Sequence, residues 1–221
     1  MDGMDRTLLL ATKNQHKIRE MTELLAGMPV TLVTLNDFPD VPEIAEAGDS
    51  FEENAVAKAS AVAYITKQVC LADDSGLEIE ALGGDPGIYS ARYAGEGATD
   101  MMKIEKVLSQ LPDSNKSART ARFRCAIAIC EPSGGLEVFE GRCDGWISLL
   151  PLGSNGFGYD PVFIVPELEK TMAELDPALK NMVSHRARAV RKARPHIARI
   201  FGIPPEEISE PVFGPLDMKP Y

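Results

Sequence analysis

The feature that most constrains this chain is the alternation of two hydrophobic periods along its N-terminal part. Residues 6–12 (RTLLLAT) form a short, continuous apolar run that reads as a buried strand. Ile18, Met21, Leu25 and Met28 then recur at helical spacing, which predicts an amphipathic helix from about Asn14 to Ala26, ended by Gly27 and Pro29. A second strand follows at 30–35 (VTLVTL), then a surface loop at 36–49 rich in Pro, Asp and Glu. A long helix starts near Phe51, with Phe51, Ala55, Ala59, Val62 and Thr66 as its apolar face. Residues 69–72 (VCLA) read as another buried strand that runs into Asp73-Asp74-Ser75-Gly76. Strands alternating with helices in this way point to a mixed α/β fold.

The remainder continues the pattern with one antiparallel element. A Gly-rich loop region spans 83–98 and a helix spans about 99–111. Residues 119–130 alternate, with Phe123, Cys125, Ile127 and Ile129 on one face and Arg122, Arg124, Ala126 and Ala128 on the other. A turn at Ser133-Gly134-Gly135 and a partner strand over 136–149 complete a hairpin. Residues 151–166 are rich in Gly and Pro, and a basic helical stretch at about 184–201 is interrupted at Pro195. The tail at 202–221 carries five Pro and no signal for a long regular element. No repeat or linker-like shift breaks the chain, so 1–201 reads as one domain followed by this tail.

Charge and cysteine usage narrow the function classes. The chain has 221 residues, with 23 Lys+Arg against 33 Asp+Glu and a net charge of −10. That balance argues against a nucleic-acid partner, which needs a field of cations to displace counterions. The positive charge is concentrated: 177–205 holds seven Lys and Arg and no acid. No run approaches the roughly 20 apolar residues of a membrane span. Asp2 and Asp5 ahead of the short apolar run Leu8–Ala11 do not make a secretory signal. Cys70, Cys125, Cys130 and Cys143 lack any CxxC pair and have apolar neighbours, as expected of reduced core thiols in a cytoplasmic protein rather than a zinc site. There is no GxxxxGK[ST], GxSxG or HExxH, and the glycines of 153–158 have the wrong spacing for GxGxxG.

Five constellations carry chemistry, and each also has a structural reading. Thr12-Lys13-Asn14-Gln15-His16-Lys17 opens a helix after a strand, where free N–H groups and the helix dipole favour a phosphate; it equally suits a capped helix with solvated lysines. Ser50 and Glu53 make a capping box, with Lys58 further along the helix on another face. Asp73-Asp74-Ser75 sets two carboxylates side by side after an apolar strand, an arrangement that Mg²⁺ relieves, or else a surface turn. In Phe157-Gly158-Tyr159-Asp160-Pro161, aromatic faces can stack on a base and Asp160 can accept ring N–H bonds, unless the rings plug the core. Lys180-Asn181 and Ser184-His185-Arg186 lie in the basic stretch, with Ser184 as a helix cap, and also fit a solvated basic face.

Taken together and in this order, the five segments resemble the inosine triphosphate pyrophosphatase family, which hydrolyses non-standard purine nucleoside triphosphates. The family pattern, [ST]-x-N-x-x-K, a Glu-containing helix start, [DE]-D-[ST], F-G-[YW]-D-P and K-N-x-x-S-H-R, is met from Thr12 to Arg186. The resemblance implies an elongated, twisted mixed sheet with flanking helices, two lobes around a nucleotide-binding cleft, a cytoplasmic homodimer and Mg²⁺ dependence. It implies cleavage of ITP, dITP or XTP to the monophosphate and pyrophosphate. By position, Thr12 to Lys17 and Lys58 would hold the phosphates, and Glu53 and Asp74 would organise Mg²⁺. Asp74 would activate water, with Asp73 as second choice, and Ser75 would touch the substrate. Phe157, Gly158, Tyr159 and Asp160 would frame the base and sugar, and Lys180, His185 and Arg186 would read the base. A donor set against a 6-oxo group rejects adenine, whose 6-amino group would leave buried donors unpaired at about 1–3 kcal/mol each. A pyrophosphatase of modified pyrimidine nucleotides and a non-catalytic nucleotide-binding module are the alternatives.

Overall fold

The computed structural model describes residues 6–112 and 116–211. Asp2, Asp5 and the second half of the Pro-rich tail lie outside the described residues. Seven strands, β1 (Thr7–Leu10), β2 (Thr31–Thr34), β3 (Val69–Ile79), β4 (Thr120–Cys130), β5 (Leu136–Ile147), β6 (Phe163–Val165) and β7 (Lys170–Thr171), form one twisted mixed sheet in the order β2-β1-β3-β4-β5-β6-β7, flanked by helices. The chain divides into two compact units and passes between them within β3, β4 and β5 and again between Ser184 and His185. Among the described residues no helix is long and apolar enough to cross a membrane.

The first unit comprises residues 6–76, Arg124–Arg142 and 185–211. Strand β1 (Thr7–Leu10) pairs in parallel with β2 (Thr31–Thr34) and with β3 (Val69–Ile79), Leu9 lying opposite Val33 on one side and Cys70 on the other. Leu8, Leu9 and Leu10 are fully buried, as expected for a continuous apolar strand covered on both faces. Helix α1 (Gln15–Leu24) starts where expected: the Asn14 side chain accepts from the N–H groups of His16 (2.9 Å) and Lys17 (3.2 Å). Helix α2 (Phe51–Thr66) buries Phe51, Ala55, Ala59 and Val62 and is capped by Ser50. Its capping box is displaced by one residue, because the Glu53 carboxylate accepts from the N–H of Asp49 at 2.8 Å instead of that of Ser50.

Three expectations are corrected in this unit. First, β3 does not stop at Ala72: it continues through Asp73, Asp74 and Ser75 to Ile79. Buried acids break the sequence signal for a strand, yet both carboxylates are satisfied by distant partners described below. Second, helix α5 (His185–Ile200) runs through Pro195. Proline removes one backbone donor, and burial of Ala193, Arg194, Ile197 and Ala198 around it holds the helix together. Third, the alternative reading of the basic stretch as a solvated face holds only for part of it, Arg191, Lys192 and Arg199 being exposed. Arg186 and Arg194 are buried, Arg188 donates to the Arg142 carbonyl (2.8 Å) and Lys192 to that of Glu140 (2.7 Å). Helix α5 lies so close to β5 (Leu136–Ile147) that a Cβ on Gly141 would overlap the His185 carbonyl. The described part of the tail returns to α1: Arg194 donates to the carbonyls of Leu24 and Ala26 (both 3.0 Å) and of Ser209 (2.6 Å).

The second unit comprises Leu77–Phe123 and Cys143–Ser184, as far as described. Helix α3 (Asp100–Gln110) is capped by Thr99 and buries Ile104 and Val107 against Leu77, Ile79, Phe123 and Phe163. Strand β4 (Thr120–Cys130) alternates as expected up to Phe123; from Cys125 onward both faces are buried. It is followed by the expected turn, in which Glu131 N–H bonds the Gly135 carbonyl at 2.8 Å, and by β5. The Gly- and Pro-rich region at 151–166 hides the short strand β6 (Phe163–Val165), and β7 (Lys170–Thr171) follows just beyond it; together they extend the sheet in antiparallel fashion from β5. Helix α4 (Pro177–Val183) is capped by Asp176 and carries Lys180 and Asn181. All four cysteines are free and buried, as their neighbours suggest.

Candidate functional site

In the first unit a set of charges gathers around the middle of β3. Consecutive residues of a strand face opposite ways, so Asp73 and Asp74 meet different surroundings. Asp73 is enclosed by donors. Its Oδ1 takes Lys17 Nζ at 2.5 Å and Arg186 Nη2 at 3.3 Å, and its Oδ2 takes Arg186 Nε at 3.1 Å and Cys125 Sγ at 2.9 Å. The Ser75 hydroxyl bonds Oδ1 at 3.3 Å. Burial pushes its carboxyl up, but Arg186 and Lys17 pull harder and hold it well below the ordinary range.

Asp74 is different. It accepts from Asn54 Nδ2 (3.0 Å) and from the Ser75 N–H (3.0 Å), both neutral donors. Burial and the negative charges of Glu46 and Asp73 outweigh the pull of Lys17, and its carboxyl is pushed up to about 6. Two adjacent carboxyl groups thus stand on opposite sides of their usual value. This is the pattern by which acid–base roles are divided between like groups.

The other expected residues of this unit divide clearly. Lys17 lies on the first turns of α1, with its ammonium on Asp73 and its pKa raised: burial lowers it, and the negative charge of Asp73 overcomes that. Thr12 Oγ1 accepts from the Asn14 N–H at 3.1 Å, shaping an exposed junction that also holds Lys13, Gln15 and His16. Lys58 forms an ion pair with Glu46. Glu53 contributes its carboxylate to the Asp49 N–H, and Arg186 is enclosed, with Nη1 on Glu20 at 2.6 Å and Nη2 on Ser75 Oγ at 2.7 Å besides its bonds to Asp73. His185 is buried beside it at the start of α5.

Glu46 is a residue the sequence reading missed. It sits in the irregular acidic loop before α2, where no period marks it. That loop is tied to α2 by Gly48 N–H donating to Asn54 Oδ1 at 2.8 Å, and the same Asn54 donates to Asp74. Among the described residues no three His, Cys, Asp or Glu side chains form a metal cage. Oxygen donors from one or two carboxylates, such as Asp74 and Glu46, are what a hard ion such as Mg²⁺ takes when phosphate and water complete its shell.

In the second unit the Phe157–Asp160 segment is built around a buried ion pair. Asp160 Oδ2 accepts from Lys180 Nζ at 2.5 Å and from the Phe157 N–H at 2.8 Å. The same ammonium lies 5.1 Å from the centre of the Phe157 ring. The two aromatics separate here: Tyr159 is buried in the core, its hydroxyl on the Ser90 carbonyl at 2.9 Å, whereas Phe157 is only half-buried and can offer a ring face. Gly158 donates its N–H to Asp100 at 2.6 Å. Gly156 has φ +74°, and a Cβ there would overlap the Asp160 carboxylate and crowd the Lys180 ammonium. Gly156→Ala should therefore cost about 1–3 kcal/mol of stability, read from the denaturant midpoint.

The model of the Ham1 family matches residues 8–196. A dITP/XTP pyrophosphatase of Geobacter sulfurreducens is 51% identical over 190 residues, covering 86% of this chain and 96% of that protein. One from Geobacillus kaustophilus is 50% identical over 187 residues, covering 85% of this chain and 92% of that protein. The solved structure of the Staphylococcus aureus Ham1 protein superposes with a TM-score of 0.78 at 39% identity, covering 88% of this chain and 99% of that one.

Proposed function

Because the chain belongs to the Ham1 family, we propose that it hydrolyses the non-standard purine nucleoside triphosphates dITP, XTP and ITP to the monophosphate and pyrophosphate. The observation that carries the mechanism is the split between Asp73 and Asp74. Asp74, which accepts only from neutral donors and is tied up in no ion pair with Lys17 or Arg186, is suited to take a proton from the attacking water. Asp73, locked in ion pairs, is not suited to that task and instead holds Lys17. Lys17, with Thr12 to His16 at the opening of α1, binds the phosphate chain and offsets charge on the departing pyrophosphate. In the second unit the Lys180–Asp160 pair fixes the loop that carries Phe157, whose half-buried ring offers a face of the kind that stacks on a base.

Mg²⁺ fits the oxygen donors of Asp74 and Glu46, and when bound it would neutralise the triphosphate and polarise the α-phosphorus. Glu46 is preferred to Glu53 because its charge acts on Asp74; Mg²⁺ there would share the Glu46 carboxylate with Lys58. A cytoplasmic homodimer is the expected form; exposed Leu149, Leu150 and Leu152 supply apolar surface for such pairing.

Hydrolysis of ITP in ¹⁸O-labelled water tests the bond assignment. The label is expected in the nucleoside monophosphate, from attack at the α-phosphorus. Label in orthophosphate, with a diphosphate as product, would contradict it.

A pH dependence follows for the metal-free protein. The carboxyl of Asp74 lies above the unfolded value of about 3.9, so between about pH 4 and 6 the folded state binds more protons than the unfolded one. This contribution to stability, about 3 kcal/mol at most, is present at low pH and lost as pH rises through 6. Added Mg²⁺ should therefore raise the thermal midpoint more at pH 7.5 than at pH 5, with affinity falling about tenfold per unit below pH 6.

A further inference from the structure

The terminal torsion of an aspartate is broad and nearly two-fold, so a carboxylate that must aim another group needs its own oxygens fixed. Asp73 is fixed from behind. Its Oδ2 is held by Arg186 Nε (3.1 Å) and by the thiol of Cys125 (2.9 Å), and its Oδ1, which also accepts from Arg186 Nη2 and the Ser75 hydroxyl (both 3.3 Å), faces Lys17. Arg186 is itself held by Glu20 of α1, whose carboxylate takes Nη1 at 2.6 Å. Lys17 Nζ lies on Asp73 Oδ1 at 2.5 Å and on the Asp73 carbonyl at 3.2 Å, two partners for an ammonium with three N–H groups.

We propose that Glu20 and Cys125 are positioning residues for Lys17: they fix Arg186 and Asp73 so that the third N–H of the Lys17 ammonium meets the leaving pyrophosphate. The proposal rests on the reading of α1 as the phosphate-binding element. Burial and the negative charge of Asp73 push the Cys125 thiol well up, so it stays protonated and acts as a donor. Cys125 reaches Asp73 from β4 and Glu20 reaches Arg186 from α1, and neither needs to touch the nucleotide.

The test uses Cys125→Ala, Cys125→Ser and Glu20→Gln in the full chain, with inorganic pyrophosphate and IMP as binding probes. Loss of one aligned hydrogen bond corresponds to roughly tenfold. Cys125→Ala is expected to lower kcat on ITP about tenfold with KM within about twofold, to weaken pyrophosphate by a similar factor and to leave IMP unchanged. Cys125→Ser, which restores a donor, should recover most of this, and Glu20→Gln should resemble Cys125→Ala. Wild-type kcat and pyrophosphate affinity in Cys125→Ala would overturn the proposal, as would equal weakening of IMP and pyrophosphate. A wild-type protein that binds pyrophosphate but leaves ITP intact would sink the substrate reading, and the pyrophosphate arm would still decide this one.

Discussion

Asp74→Asn should lower kcat on dITP by about 10³-fold while leaving a folded protein, within the ~10²–10⁴-fold that a positioned base contributes. Asparagine keeps the shape and one acceptor of Asp74 but cannot take a proton. The group it replaces faces neutral donors, so no buried cation loses its partner. The adjacent position gives the contrast. Asp73→Asn removes the charge that offsets Arg186 and Lys17 in a buried cluster, and breaking such a pair costs about 3–5 kcal/mol. Activity and urea midpoint measured on both variants separate the roles. Asp74→Asn should lose rate at a stability cost of about 1–3 kcal/mol, because its amide N–H meets one of those neutral donors, and Asp73→Asn should lose rate at the larger cost. A fully active Asp74→Asn would remove the proposed base.

Arg186→Lys is the second large effect, with a stability loss of about 3 kcal/mol or more in a chemical unfolding experiment. The guanidinium holds Asp73, Glu20 and Ser75 at once with Nε, Nη1 and Nη2, and it is almost fully buried, at 1% exposure. A lysine brings one point charge and cannot span carboxylates on α1 and β3 together. This distinguishes a positioning arginine from one that reads the base. A base-reading arginine would lose discrimination between dITP and dATP at unchanged stability, and that outcome would overturn the assignment made here.

The elements most legible in the sequence were those whose signals are local. Apolar runs marked β1 and the start of β3, Asn14 and Ser50 marked the starts of α1 and α2, and Ser133-Gly134-Gly135 marked the hairpin turn. What was hidden depends on partners far along the chain. Asp73 reads as the end of a strand because a buried acid needs a cation, and its cations are 56 residues away at Lys17 and 113 away at Arg186. Pro195 reads as a helix break because tertiary packing around it is invisible locally. Strands β6 and β7 have three and two residues, too short for any period.

The candidate site shows the same division. The five segments were legible as residue types in order, but the division of labour inside them was not. Sequence could not separate Asp73 from Asp74, since both are buried acids in one strand and only their donors differ. It could not separate Phe157 from Tyr159, one half-buried over Lys180 and the other in the core. Glu46 carried no signal, because its link to Asp74 runs through the folded loop and Asn54.

The most direct measurement of the central claim is kcat/KM for dITP, XTP, dATP and dGTP with Mg²⁺, following pyrophosphate. The account predicts pyrophosphate as the product and a preference of at least about tenfold for dITP and XTP over dATP, the value of one buried donor left unpaired. Equal rates on dATP and dITP, or orthophosphate as the first product, would contradict it.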